Sequence, residues 1–202
     1  PDTLIIKDLY QMKPPRPFSP GGEISGTIAA LGEGVSGWQV GDRVIAGTGA
    51  GGLREQVVLS AARLFKVPEG IDLVQASALL MTYGTTIHGL KDRGDIKAGD
   101  TVLVLGAAGG VGLSAVELAK AYGARVVAAV STEEKGEVAK KAGADEVVIY
   151  DRAPFDKDQS KALAQQFKDA VGPEGADIVY DIVGGDYSEP ALRSIAWEGR
   201  FL

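Results

Sequence analysis

Between an apolar run at 101–105 (TVLVL) and a second at 125–130 (RVVAAV), the chain places glycine at 106, 109, 110 and 112. A backbone stripped of Cβ atoms can come within hydrogen-bond reach of a phosphate, and a helix that starts inside such a turn aims free amides and its positive dipole end at that phosphate. The apolar run before the turn reads as a buried parallel strand, and Gly110 opens the helix. Gly109 would let the backbone approach a pyrophosphate, and Gly112 would let the helix pack closely on the strand. The match to G-x-G-x-x-G is imperfect, since Ala107 holds its first position with Gly106 just before it. Strand, turn, helix and second strand follow within about thirty residues, the context that makes such a match a dinucleotide site.

The end of the second apolar run selects the dinucleotide. A site for NAD usually carries Asp or Glu there to accept from the ribose hydroxyl. This chain reads Val130, Ser131, Thr132, so no carboxylate at that place repels a 2′-phosphate, and with Glu133 and Glu134 pointing away the Ser131 hydroxyl and Lys135 ammonium can bind one. NADP(H) is the expected cofactor. The same residues also read as a helix start, Ser131 with Glu134 forming a capping box and Lys135 a solvated lysine.

These groups need elements to hold them. Residues 1–73 are rich in glycine, proline and short β-like runs (GEISGTIAAL, DRVIAG, EQVVLS, LFKV) separated by turn sequences such as SPGG and VPEG. They read as a compact all-β unit. From about Leu73 the texture turns helical up to Gly94, and strands expected at 101–105, 125–130, 146–150 and 177–183 then alternate with helices at 110–122, 132–142, 157–171 and 188–197. Alternation with connections too long for hairpins predicts an α/β domain over 74–202, a parallel sheet covered on both faces. The chain opens on Pro1 and closes on Phe201 and Leu202, which read as the first residues of a further strand, so the 202 residues are expected to be part of a longer polypeptide.

Lys and Arg total 21 against 27 Asp and Glu, spread along the chain, which argues against nucleic acid or an anionic membrane as partner. No apolar run approaches a membrane span and no leader pattern opens the chain, so a cytoplasmic location is expected. With no cysteine there is neither a disulfide frame nor a thiolate zinc site. The lone histidine, His88, has no nucleophile or carboxylate constellation visible beside it and reads as structural.

Several further stretches carry a family likeness: GDTVLVLGAAGGVGLSAVELAK, AKKAGADEVVIY, DIVYDIVGG, RSIAWEGR, PGGEISGTIAALGEGVSGWQVGDRV and MTYGTT. Together they resemble the zinc-independent quinone oxidoreductase branch of the medium-chain dehydrogenase/reductase superfamily, over essentially the whole chain. The resemblance implies part of a GroES-like β-barrel domain followed by a Rossmann-type doubly wound sheet, incomplete at its C-terminus, with the cofactor in the cleft between the domains. It implies hydride transfer from NADPH to a quinone or another electron-poor enone or carbonyl, a small-molecule substrate, and a homodimer in the full-length form. It also implies Gly106, Gly109, Gly110, Val111 and Gly112 around the pyrophosphate, Ser131 and Lys135 at the 2′-phosphate, and Tyr150 beside the adenine. Val183 and Gly184 would lie under the adenosine or nicotinamide side, Thr85 near the cofactor, and Tyr10 in the substrate cleft.

Departures matter equally. Zinc-dependent relatives carry Gly-His-Glu where this chain has Gly21, Gly22 and Glu23, so no metal site is expected. Where the quinone reductase signature has glutamine in the first Rossmann helix, this chain has Glu117. Tyr10 and Tyr83 are the phenols available to protonate a reduced acceptor, and packing is the competing reading for both, as closing a buried strand is for Tyr150. A reductase of enoyl thioesters and a dinucleotide-binding protein without catalysis remain the alternatives, and the 202-residue chain alone is expected to be impaired as a catalyst.

Overall fold

The computed structural model describes residues 1–202, which separate into two compact units, Pro1–Met81 and Thr82–Leu202. In the first, a short helix α1 (Asp2–Ile6) precedes an antiparallel sheet of β1 (Glu23–Thr27), β2 (Arg43–Gly47) and β3 (Leu64–Lys66). Ile45, Val67 and Ala76 form its small core beneath α2 (Leu73–Ala76). The run EQVVLS, expected as a strand, is none: no strand pairs with it, and Val58 within it is 101% exposed. The expected helical stretch from about Leu73 to Gly94 is broken after α2, where the Ser77 hydroxyl donates to the Val74 carbonyl. It resumes as α3 (Leu79–Ile87), which runs through the division between units, and ends in a π-helical turn, His88–Arg93. Glu23 accepts from the Met81 amide at 3.0 Å, satisfying one of the free donors in the first turn of α3.

The second unit is a five-stranded parallel sheet in the order β6-β5-β4-β7-β8. Its strands are β4 (Thr101–Leu105), β5 (Arg125–Val130), β6 (Glu146–Ile149), β7 (Ala176–Asp181) and β8 (Ile195–Phe201). Helices α4 (Gly110–Ala121) and α5 (Glu133–Lys141) cover one face, and α6 (Lys157–Val171) and α7 (Ser188–Leu192) the other. The strand period of two explains why both faces are apolar. Val102 and Val104 of β4 pack with Ala115, Val116 and Ala119 of α4, while Leu103 and Leu105 pack with Leu163 and Phe167 of α6. Asp156 and Gln159 form the capping box that starts α6. No helix is long and apolar enough to cross a membrane.

Two expected elements end early. The helix predicted through Trp197 stops at Leu192, because the Ser194 amide and hydroxyl both turn back to the Ala191 carbonyl and Ile195 then pairs with Ala176. Phe201 therefore closes a strand that began at Ile195, and does not open one. Residues 196–199 bulge out of that strand, leaving Trp197 94% exposed. The strand predicted to reach Val183 stops at Asp181, whose carboxylate accepts from the amides of Val183 and Gly184 and turns the chain.

Candidate dinucleotide site

The glycine turn sits at the carboxyl end of β4, the point where the sheet order reverses between β5 and β7 and where open parallel sheets bind ligands. Gly106 adopts a left-handed φ of 68°, and its amide and that of Ala107 both donate to the Ala129 carbonyl of β5, at 3.0 and 3.2 Å. The Gly109 amide closes the turn on the Gly106 carbonyl at 2.9 Å. Gly109 is the N-cap of α4 and offers no side chain to the helix, so the amides of Gly110, Val111 and Gly112 find no partner within the protein. Three free donors on one helix end are what an anion needs.

The four glycines divide the work. A Cβ on Gly112 would stand 2.3 Å from the Gly106 oxygen and 2.8 Å from the Ala107 Cα, so this position packs helix on turn. A Cβ on Gly109 would meet nothing nearer than the Gly106 oxygen at 3.4 Å, and Gly109 and Gly110 are exposed. That is a cradle with an open side. Its back is a polar seam between α3 and α4: Thr86 and Ser114, both buried, hydrogen-bond at 2.7 Å, and a Cβ on Gly110 would touch Thr82 at 3.2 Å. Thr85 is exposed on α3, beside this seam in sequence.

At the end of β5, Thr132 is the N-cap of α5 and accepts from the Lys135 amide at 3.3 Å. The capping box expected on Ser131 therefore does not form; Thr132 takes that place. Ser131 is left half-buried with its hydroxyl 2.9 Å from the exposed Lys135 ammonium, a hydroxyl and a cation side by side. Glu133 and Glu134 occupy the exposed first turn of α5, where they favour the helix dipole.

Tyr150 follows β6 and is 7% exposed, its ring 4.8 Å from that of Tyr187. Burial foremost, with the neighbouring Tyr187, raises its phenol above the ordinary value, while the Gly106 amide pulls the other way. Tyr150 and Gly106 thus share one neighbourhood at the carboxyl edge of the sheet. Val183 and Gly184 lie in the turn after β7, and Val183 comes up beside Gly106. Tyr187 and Asp181 escaped the reading of the sequence; the hydroxyl of Tyr187 donates to the Asp151 carbonyl and accepts from the Ala153 amide across a gap of more than thirty residues, a link that no local pattern announces.

Tyr10 is half-buried in the first unit, shortly after α1. Tyr83 on α3 donates its hydroxyl to Glu117 of α4. That bond, then burial, then the carboxylate charge push the phenol from 10.0 up to about 12. The fold favours the protonated phenol, so the stabilisation is fully present below pH 10 and is lost as pH rises through about 12. In Glu117→Gln the tyrosinate absorbance is expected to rise at lower pH than in the parent chain by one residue's amplitude; superimposable curves would contradict the pairing.

The family described as alcohol dehydrogenase GroES-like domain matches residues 1–69, and that described as zinc-binding dehydrogenase matches residues 110–202. The chain is 39% identical over all 202 residues to quinone oxidoreductase-like protein 2 of Rattus norvegicus. Over its whole length the chain is similar to quinone oxidoreductase-like proteins of the medium-chain dehydrogenase/reductase superfamily. It spans 55% of the rat relative's length. A mycobacterial protein solved in complex with NADPH superimposes with a TM-score of 0.84 at 35% identity, covering 99% of this chain and 60% of its own. A structure named as an NAD-dependent alcohol dehydrogenase reaches 0.86 at 31% identity, covering 99% and 64%. Shape alone therefore does not choose between the two nicotinamide cofactors. The zinc in one family description finds no fit here: no three His, Asp or Glu side chains converge, cysteine is absent, and His88 is exposed and paired with Asp92 at 3.0 Å.

Proposed function

We propose that the second unit binds NADPH and that these residues belong to an oxidoreductase passing a hydride to a quinone or a related electron-poor enone or carbonyl. The observation that carries the reading is the open glycine cradle, with three unpartnered amides at the start of α4. Gly110, Val111 and Gly112 would donate to the pyrophosphate, and Gly109 would give it room. Ser131 and Lys135 would take the 2′-phosphate, and the solved NADPH complex of a relative supports that choice. Bound NADPH would supply the hydride; the chain supplies orientation and dry walls. Tyr150, Val183 and Gly184 would line the cofactor, with Thr85 near it. A proton donor is needed at the reduced acceptor: Tyr83 is committed to Glu117, which leaves Tyr10 or water for that role. In this reading the acceptor is a small molecule, no metal takes part, and the complete protein is a cytoplasmic homodimer.

Two assays test this. Titration of the chain with NADPH, followed by nicotinamide fluorescence, should show saturable binding stronger than for NADH. NADPH oxidation by the polypeptide that carries these residues should then depend on an added quinone or enone. Turnover confined to enoyl thioesters would move the substrate class, and tight binding without turnover on any acceptor would make the protein a non-catalytic NADPH binder.

A further inference from the structure

The turn after β7 faces the glycine turn after β4, and one side chain shapes it. Asp181 closes β7 in register with Leu105, the last residue of β4. Its Oδ1 accepts from the amides of Val183 at 2.9 Å and Gly184 at 2.8 Å, and its Oδ2 accepts from the Ser188 hydroxyl at 2.5 Å. These bonds fold residues 182–185 back on the strand, with Gly184 and Gly185 at φ of 73° and 63°, and tie the turn to the start of α7. The product of that folding bears on the cradle. A Cβ on Gly106 would stand 2.9 Å from Val183 Cγ2 and 3.4 Å from Ile182 Cγ1. Ile182 and Val183 nevertheless stay 41% and 42% exposed, large apolar side chains left open at the edge where the sheet order reverses.

We propose that Asp181 is a positioning residue for the dinucleotide: it fixes the 182–185 turn, sets the opening between the ends of β4 and β7, and holds Val183 and Gly184 ready to cover the cofactor. This rests on the NADPH reading given above. The role is geometric. A carboxylate near a pyrophosphate gains nothing from its charge, and here both oxygens are turned into the protein's own turn. With the side chain gone, the turn would have to be ordered at the moment of binding, and that ordering opposes affinity. An asparagine could keep the geometry, its oxygen accepting from the two amides and its NH2 donating to the Ser188 oxygen.

NADPH binding by the chain is measured by fluorescence titration well below the melting temperature, with thermal melting in parallel. Asp181→Ala is expected to weaken NADPH on the order of tenfold, and Asp181→Asn to recover most of that loss. A purely structural residue would lower the melting temperature in Asp181→Ala and leave the affinity of the folded fraction untouched, which would overturn the proposal. An Asp181→Asn chain as weak as Asp181→Ala would overturn it too, because charge would then be the active property. Should Asp181→Ala fail to fold, Asp181→Glu replaces it: displacing the carboxylate by one methylene must weaken NADPH, and unchanged affinity sinks the idea. A parent chain that does not bind NADPH at all defeats the cofactor reading, and the positioning role with it.

Discussion

A Gly109→Asp chain is expected to hold or raise its melting temperature while losing NADPH affinity by about a hundredfold or more. Gly109 stands at the N-cap of α4 with φ −78° and ψ 166°, a conformation open to any residue and the usual one for a capping aspartate. The space around a Cβ there is free apart from the Gly106 oxygen at 3.4 Å. The new carboxylate would accept from the free amides of Val111 and Gly112 and sit on the positive end of the helix, adding a few tenths to about 1 kcal/mol over glycine. It would also occupy the place proposed for the pyrophosphate, with a charge of the same sign. Thermal melting with and without NADPH checks both halves: the cofactor should raise the melting temperature of the parent chain and leave that of the variant unmoved.

Gly112→Ala makes the contrasting case. Its Cβ would meet the Gly106 oxygen at 2.3 Å and the Ala107 Cα at 2.8 Å, backbone atoms that cannot swing aside. Overpacking of this kind costs about 1–3 kcal/mol, occasionally more. NADPH binding should fall here as well, now with a lower melting temperature in the absence of any ligand. Two neighbouring glycines would thus fail for opposite reasons, one as ligand space and the other as packing space. Equal stability losses in the two variants would refute the division.

How far the sequence announced this follows from the range of the interactions. The strands β4 to β7 and helix α6 were legible because each is an apolar segment whose period and caps lie within or beside it: Lys157–Val171 appears with the boundaries expected, opened by Asp156 and Gln159. The glycine turn was legible for the same reason, its shape residing in seven consecutive positions. What was not legible depends on partners far along the chain. EQVVLS has the composition of a strand but no neighbour to pair with, and the residues after Leu192 leave the helix because Ile195 finds Ala176. Tyr83 looked like a free phenol until Glu117, thirty-four residues on, was seen to hold it. Asp181 looked like one more strand residue, although its three hydrogen bonds build the turn opposite Gly106. Ser131 belongs to both groups: its position at the end of β5 was readable, but its freedom came to light only when Thr132 proved to be the cap.

That freedom makes Ser131→Asp the sharpest test of cofactor choice. The Ser131 hydroxyl is 2.9 Å from the Lys135 ammonium, so the cation is engaged by a hydroxyl and keeps its charge for an incoming phosphate. An aspartate there acts twice, repelling the 2′-phosphate directly and pairing with Lys135 so that the lysine no longer attracts it. It also supplies the acceptor that a ribose 2′-hydroxyl needs. NADPH affinity is expected to fall by about a hundredfold and NADH affinity to hold or rise, reversing the preference. Lys135→Ala should be milder, about tenfold on NADPH and nothing on NADH, because it removes one charge-assisted bond at an exposed position. Its effect should shrink in high salt, as screening already weakens the bond in the parent chain. Titration of all three chains with both cofactors at two ionic strengths decides the matter. If the parent binds NADH and NADPH equally and Ser131→Asp changes neither, the pair at the end of β5 is a surface contact, and the phosphate is recognised elsewhere.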